Sequence, residues 1–515
     1  RRMAPPTILS LPRMAMPWLA TLALAYTENG SAPFWERVMR DPMCDHIHDC
    51  GYPGISQEDC KERGCCWDPI GANWCSGEAT KCSSRADCSL HGECVDGACV
   101  CDAGRTGFHC AQKLIKKVHV IQSCHLDVGF TNLSAGVIDL YLNDHIPKAI
   151  RVAAELRNRS ELPEGWRLKF LAQSFYVNLA LDCPVGMGFT CPNAPQREAL
   201  RAALRAEDIT YHAFPHNAEL ENTSPVMLEL GFEGTQALDE TVGLRPKRFL
   251  SQRDVPGLPR SVIPLLKQQG VELVTVGVNG ASMYPRVPKL FRWRDPVSND
   301  EVLGMWHPRG YGGYTVGEAV MLAEFDEALV TDWNVDNGGP RDADDYVSAF
   351  VGIQAEFPNA TIVASTFDDW LHAFEGSGLR DTLPVVDKEV GDSWLYGVPS
   401  DPKKVAQSRA LDRALTRYLD EGGVRDAPLR NFSRLAIKNC EHTWGLDVKS
   451  TLLDDANWTN AGFESARNGS DYLRLEQSWW EQRRWGFEIP LSALPADHRL
   501  AKLTSDEIGG LEQPV

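Results

Sequence analysis

The 515-residue sequence contains no internal repeat, no long low-complexity tract and no excess of basic charge. The first two absences exclude a repeat array and extended disorder; 43% hydrophobic and 24% charged residues are the composition of a folded, soluble protein. Lys plus Arg number 52 against 70 Asp plus Glu, and the net charge of −18 argues against nucleic acid or an anionic membrane as a partner. No apolar run has the length of a transmembrane helix, so no integral membrane segment is expected. Cysteine is scarce along most of the chain: after Cys110 there are Cys124, Cys183, Cys191 and Cys440.

What is present is uneven. The other twelve of the 16 cysteines fall between Cys44 and Cys110, a density that implies an oxidising compartment. Arg1, Arg2 and Arg13 precede an apolar stretch, 14–26, which suits the core of a signal peptide. Residues 1–43 are therefore read as signal peptide and linker, and a secreted or secretory-pathway protein is expected. Eight Asn-x-Ser/Thr sequons would be usable glycan acceptors there. The length predicts about two to four domains.

Residues 44–75 read CDHIHDCGYPGISQEDCKERGCCWDPIGANWC, and 82–110 read CSSRADCSLHGECVDGACVCDAGRTGFHC. Each block has six cysteines and too few large apolar residues for a core, so covalent staples must offset chain entropy. Zinc is disfavoured here because structural zinc sites use paired C-x2-4-C spacings. Six cysteines alone allow fifteen pairings. The GYPGIS turn, adjacent Cys65 and Cys66, and Trp67 resemble the trefoil (P-type) module, assigned to 44–77. The spacing of Cys82, Cys88, Cys94, Cys99, Cys101 and Cys110 with the late Gly104 and Gly107 resembles the EGF-like module, assigned to 78–112. The resemblances imply first-to-fifth, second-to-fourth and third-to-sixth bridges among Cys44, Cys50, Cys60, Cys65, Cys66 and Cys75. In the second block they imply first-to-third, second-to-fourth and fifth-to-sixth.

After Lys116 short apolar runs alternate with amphipathic stretches, the pattern of an α/β domain with a largely parallel sheet. Residues 118–121 read as a buried strand and 139–157 as a helix. Further units follow at 168–172 and 196–205, 261–269 and 271–276, and 343–357 and 362–364. Residues 115–388 are assigned to this domain, 389–455 to a helical bundle, and 456–515 to the start of a C-terminal region that is expected to continue. Cys183 and Cys191 enclose a short Gly-rich loop and are expected to pair.

Three clusters carry candidate chemistry. SCHLDVGF places His125 and Asp127 just past the first strand, where alternate residues share a face and can converge on one ion, although a surface turn has the same pattern. YHAFPHNAELEN offers His212, His216, Glu219 and Glu221 after a short strand, and NCEHTWG offers His442 beside Cys440. Trp333 and Trp444 neighbour these segments and have faces suited to sugar rings.

Several segments, in order, are similar to the zinc-dependent α-mannosidases of glycoside hydrolase family 38: VHVIQ with SCHLDVGF, SQRDVPGLPRSVIPLLKQQGV, TDWNVDNGG with STFDDW, EVGDSWLYGVPSDPKKVAQSRA and NCEHTWG. Together they span about 117–450. The resemblance implies a distorted β/α barrel-like domain and one Zn2+ held by His125, Asp127 and His442. It makes Asp332 the general acid/base and Asp254 a site-shaping carboxylate. Where the family has an Asp that both binds zinc and attacks the sugar, FPHNAE is read as offering His216, a good ligand but an unusual nucleophile. Three outcomes then stay open: Glu219 or Glu221 is a substitute nucleophile, a zinc-bound water attacks instead, or the domain only binds glycans; His212 is an alternative ligand. The expected function is zinc-dependent glycoside hydrolysis on a carbohydrate or glycoprotein substrate, with trefoil and EGF-like modules for extracellular protein partners. The alternative is a catalytically silent glycan-binding or matrix-interaction protein.

Overall fold

The computed structural model describes residues 82–511 except 96–97, 107–109, 255–257, 281–286, 308–309, 391–399 and 453–458, together with short strands at His48–Asp49, Cys66–Trp67 and Cys75–Gly77. These three strands pair antiparallel, with Cys75–Gly77 in the middle. Cys44, Cys50, Cys60 and Cys65, and the bridges expected of the first block, lie outside the described residues.

In the second block Cys82 pairs with Cys94, Cys88 with Cys99 and Cys101 with Cys110, the pattern its resemblance implied. Its second hairpin, Arg105–Thr106 with Gln112–Lys113, runs straight into the large domain. The Arg105 guanidinium donates to both Glu324 oxygens at 2.7 and 3.0 Å. Lys113 N–H donates to Ala323 O at 2.8 Å and Gln112 Nε2 to Leu322 O at 3.0 Å. The six-cysteine module is thereby fastened at several points to the 322–324 segment.

The strands of the large domain are β1 (Lys117–Cys124), β2 (Phe170–Ala172), β3 (Ile209–Tyr211), β4 (Phe249–Asp254), β5 (Leu273–Val278), β6 (Leu290–Arg294), β7 (Glu301–His307), β8 (Glu327–Asn334), β9 (Thr361–Ala364) and β10 (Val385–Val386). One sheet runs β3-β2-β1-β8, with β9 also on β1; the other runs β4-β5-β7-β6-β10. All pairings are parallel except β6 with β7. Strands such as VHVI and LVTVGV are buried on both faces, as parallel strands covered by helices must be. The sheets approach where Ala213 N–H donates to Phe249 O at 2.9 Å. Ile121, Leu171, Phe249, Leu273, Leu303 and Leu329, from six strands of both sheets, meet in one inner cluster. The architecture is a multidomain one, with the cysteine-rich region followed by a distorted barrel-like α/β domain and helices.

The helix expected over 139–157 spans Ser134–Asn158, interrupted by a π-helical turn at Tyr141–His145. Cys183 and Cys191 are bridged. Beyond the barrel the chain is helical, notably at Pro402–Asp420, Ala427–Ala436, Ser470–Arg483 and Arg499–Leu511. Pro402 sits at the first helical position, and Asp401 caps the helix by accepting from Lys404 N–H, the arrangement that SDPKK encodes. Among the described residues no helix is long and apolar enough to cross a membrane.

Candidate metal centre

Because β1, β4 and β8 each run parallel to a neighbour in their sheets, the loops after them open on ligand-binding ends. The chain leaves β1 through His125 and Asp127, both buried. Asp254 ends β4 at φ +77°, a left-handed conformation rare for a residue with a Cβ, and such strain gathers at functional sites. His442 arrives from the helical region after the 3-10 turn Ile437–Cys440. One ligand atom from each of His125, Asp127, Asp254 and His442 lies within 4.8 Å of all the others.

His442 Nε2 is 2.8 Å from Asp127 Oδ1, 3.1 Å from His125 Nε2 and 3.5 Å from Asp254 Oδ2. His125 Nε2 is 3.1 Å from Asp127 Oδ1 and 3.9 Å from Asp254 Oδ2. A tetrahedral site with bonds of about 2.0–2.1 Å has donor edges of about 3.3 Å, so two nitrogens and two oxygens at these spacings fit one divalent cation. Surrounding bonds hold them in place. His442 Nδ1 lies 2.9 Å from Glu441 Oε1, and Glu441 is paired with Lys438 at 2.9 Å, the carboxylate support common behind ligating histidines. Asp254 Oδ1 accepts from Tyr311 O–H at 2.8 Å and Asn279 Nδ2 at 2.7 Å. Asp127 N–H donates to Asn337 Oδ1 at 3.0 Å.

Burial alone favours the neutral form of all four groups, and their mutual charges overcome it. Asp127 and Asp254 raise His125, while Glu441, Asp127 and Asp254 hold His442 well above an ordinary imidazole. His125 and His442 in turn keep Asp127 and Asp254 below the usual carboxylate range.

The structure moves several expected residues out of this group. The His216 ring is fully buried under the site, edge-on to Phe214 and Phe175, with Nε2 3.1 Å from Ile437 O and Nδ1 3.1 Å from Asn217 O. Burial pushes it down to about 4, and it is a structural histidine; the fourth donor is Asp254. His212 is likewise buried, 2.6 Å from Gln173 Oε1. Glu219 lies behind Trp444, accepting from its indole N–H at 3.3 Å, and burial pushes its carboxyl up to about 7. Trp444 is half-buried, with Lys404 Nζ 4.2 Å from its ring centroid. Cys124 and Cys440 are buried free thiols.

Strand alternation separates Asp332 from the centre. Leu329 belongs to the inner cluster and Trp333 packs against it, so Asp332 takes the opposite face of β8, where it is ion-paired with Arg341. Trp333 has one face covered by the Arg253 guanidinium at 4.5 Å. A further carboxyl close enough to feel the charges of the centre is Asp336, in the exposed turn after β8. The surrounding protein and then the charges of Asp127 and Asp254 raise it above its ordinary range, against the pull of His125 and His442. Its one signal in the sequence is Asp-Asn-Gly-Gly, a turn pattern that marks where a strand-end loop reverses.

A family model for the trefoil (P-type) domain matches residues 47–75, and one described as a domain of unknown function, DUF5054, matches 398–514. Trefoil factor 3 of Sus scrofa is 36% identical over 64 residues, which are 11% of this chain and 79% of that protein. Skin secretory protein xP2 of Xenopus laevis is 48% identical over 42 residues, 8% of this chain and 9% of that protein. Among solved structures an alpha-mannosidase from Enterococcus faecalis V583 superposes with a TM-score of 0.50 at 14% identity, over 77% of this chain and 43% of its own. The likeness is one of fold, and the chain spans less than half of that mannosidase.

Proposed function

The chain belongs to the trefoil (P-type) domain proteins, and we propose that it is a secreted, zinc-dependent glycoside hydrolase acting on α-mannosides or related glycans. The observation that carries the reading is the buried convergence of His125, Asp127, Asp254 and His442 at the strand ends of a glycosidase-like fold. Secretion is supported by the four disulfides among the described residues and by the likeness to a protein named as secretory. The six-cysteine module is read as EGF-like, and with the trefoil domain it would serve extracellular partners.

Two imidazole nitrogens and two carboxylate oxygens suit zinc, which when bound supplies fixed positive charge for sugar hydroxyls. Asp254 and Asp336 have the opposed environments that divide acid from nucleophile. Asp254, kept ionised, attacks the anomeric carbon as the glycosidic bond breaks, giving a glycosyl ester. Asp336 gives its proton to the leaving oxygen, then takes one from the water that hydrolyses the ester. Tyr311 and Asn279 orient Asp254 for that attack. Asp332 instead fixes Arg341.

The test is metal analysis of the purified full chain, followed by hydrolysis of an aryl glycoside panel that includes α-mannosides, with and without chelator. One zinc per chain and chelator-sensitive hydrolysis, lost in Asp254→Asn, are expected. Asp336→Asn should be rescued by an activated leaving group, whereas Asp332→Asn should keep the wild-type dependence on leaving group. Glycan binding with no turnover would leave a silent lectin-like protein and overturn the reading.

A further inference from the structure

Asn337 connects more of the site than any expected residue does. It is 5% exposed and sits at φ +52°, directly after Asp336. Its side-chain oxygen accepts the Asp127 N–H at 3.0 Å. Its amide nitrogen donates to Thr131 Oγ1 at 2.9 Å and Gly129 O at 3.3 Å. Its backbone N–H donates to His125 O at 2.8 Å, and its carbonyl accepts from His145 Nε2 at 3.0 Å. Every polar group of the residue is thus engaged, three of them with the 125–131 loop that carries two proposed ligands.

His145 reaches that carbonyl from the π-helical turn Tyr141–His145, and an inserted π turn commonly re-aims side chains at a functional site. The approach requires Gly339, since a Cβ there would lie 2.4 Å from the imidazole. Within the turn, Gly338 N–H donates to Val335 O at 2.9 Å and Asn334 Nδ2 to Gly339 O at 2.8 Å. The loop bearing Asp336 is consequently braced from inside, from the β1 loop and from the π turn.

We propose that Asn337, supported by His145, is a positioning residue that locks the Asp336 turn to the 125–131 loop, so that the acid and the cation-binding group keep one fixed geometry. The inference rests on Asp336 being the general acid. A mispositioned acid slows only the step that needs a proton, and an ångström of displacement costs about a hundredfold.

The test is steady-state kinetics of the full-length, metal-loaded protein on phenyl and dinitrophenyl glycosides of one sugar. Asn337→Gly suits the positive φ and removes every side-chain bond. It should lower kcat about 10- to 100-fold on the phenyl glycoside and less than about threefold on the dinitrophenyl one, with KM and metal content unchanged. His145→Leu should show the same split more weakly, and His145→Gln, which keeps a donor, should restore it. An equal loss on both substrates, loss of metal, or no effect in either variant of an active wild type overturns the inference while leaving the proposed function standing. A wild type inactive on both substrates, and on the wider panel, overturns the two together.

Discussion

Two buried ionic groups lie side by side and answer burial in opposite ways. In the group formed by His125, Asp127, Asp254 and His442, attraction between unlike charges wins, and all four are driven toward their charged forms. In the neighbouring pair, Glu219 and Lys404, burial wins: the carboxyl is pushed up and the ammonium down, each to about 7. Lys404 Nζ is without a hydrogen-bond partner among the described residues and faces the Trp444 ring. The difference is one of geometry: donors converging within hydrogen-bond distance sustain charge, while a pair coupled at longer range drifts toward neutrality. An imidazole must be neutral to ligate a cation, so a metal entering the first group would displace the protons that the carboxylates hold on His125 and His442.

The comparison fails first if His442→Ala keeps its metal. On the proposed function that variant removes a ligand, and it should abolish stoichiometric zinc and reduce turnover on the order of a thousandfold or more, read by metal analysis and kinetics together. A smaller effect is expected one bond further out. Glu441→Gln leaves the ligands in place but removes the charge behind His442, and should weaken zinc about 10- to 100-fold in chelator competition. Unchanged affinity would mean that the paired carboxylates give the imidazole no support.

The second group is sharpened by pH. Glu219 has a folded pKa of about 7 against an ordinary 4.5, so the native state holds its proton more tightly. The stabilisation this gives is full below pH 4.5 and is lost as pH rises through about 7. Urea unfolding should therefore show Glu219→Gln gaining on wild type between those limits; parallel curves would refute it. The smallest change is predicted for Lys404→Met, which keeps the aliphatic stem under Trp444 and removes a poorly compensated charge. Its melting temperature should stay within a few degrees of wild type, because replacing buried charge by apolar volume is often neutral. A collapse like that of an unpaired core ion would show that Lys404 has a stronger partner than Glu219.

What was legible in the sequence was local. Spacing alone marked the stapled modules, and the H-x-D pattern after an apolar strand marked His125 and Asp127. His442 and Asp254 came from resemblance, which made Asp254 a site-shaping carboxylate, and the structure adds it to the group that could hold a metal. His216 looked like a ligand because four ligand-capable residues crowd one short segment, and only packing shows that its ring turns under the site toward Phe214 and Phe175. Asp332 and Asp336 differ by four positions. Their surroundings depend on which face of β8 is inner and on how the chain reverses at Asn337, and neither follows from residue types.

The seam between the six-cysteine module and the barrel has a practical consequence. Arg105, Gln112 and Lys113 grip residues 322–324, so the module is not an interchangeable bead on a string. A graft that moved it to another protein would have to carry its socket along, and a truncation removing the chain through Cys110 would take away the Arg105–Glu324 pair and the strand that Gln112–Lys113 pairs with rather than merely shorten a tether.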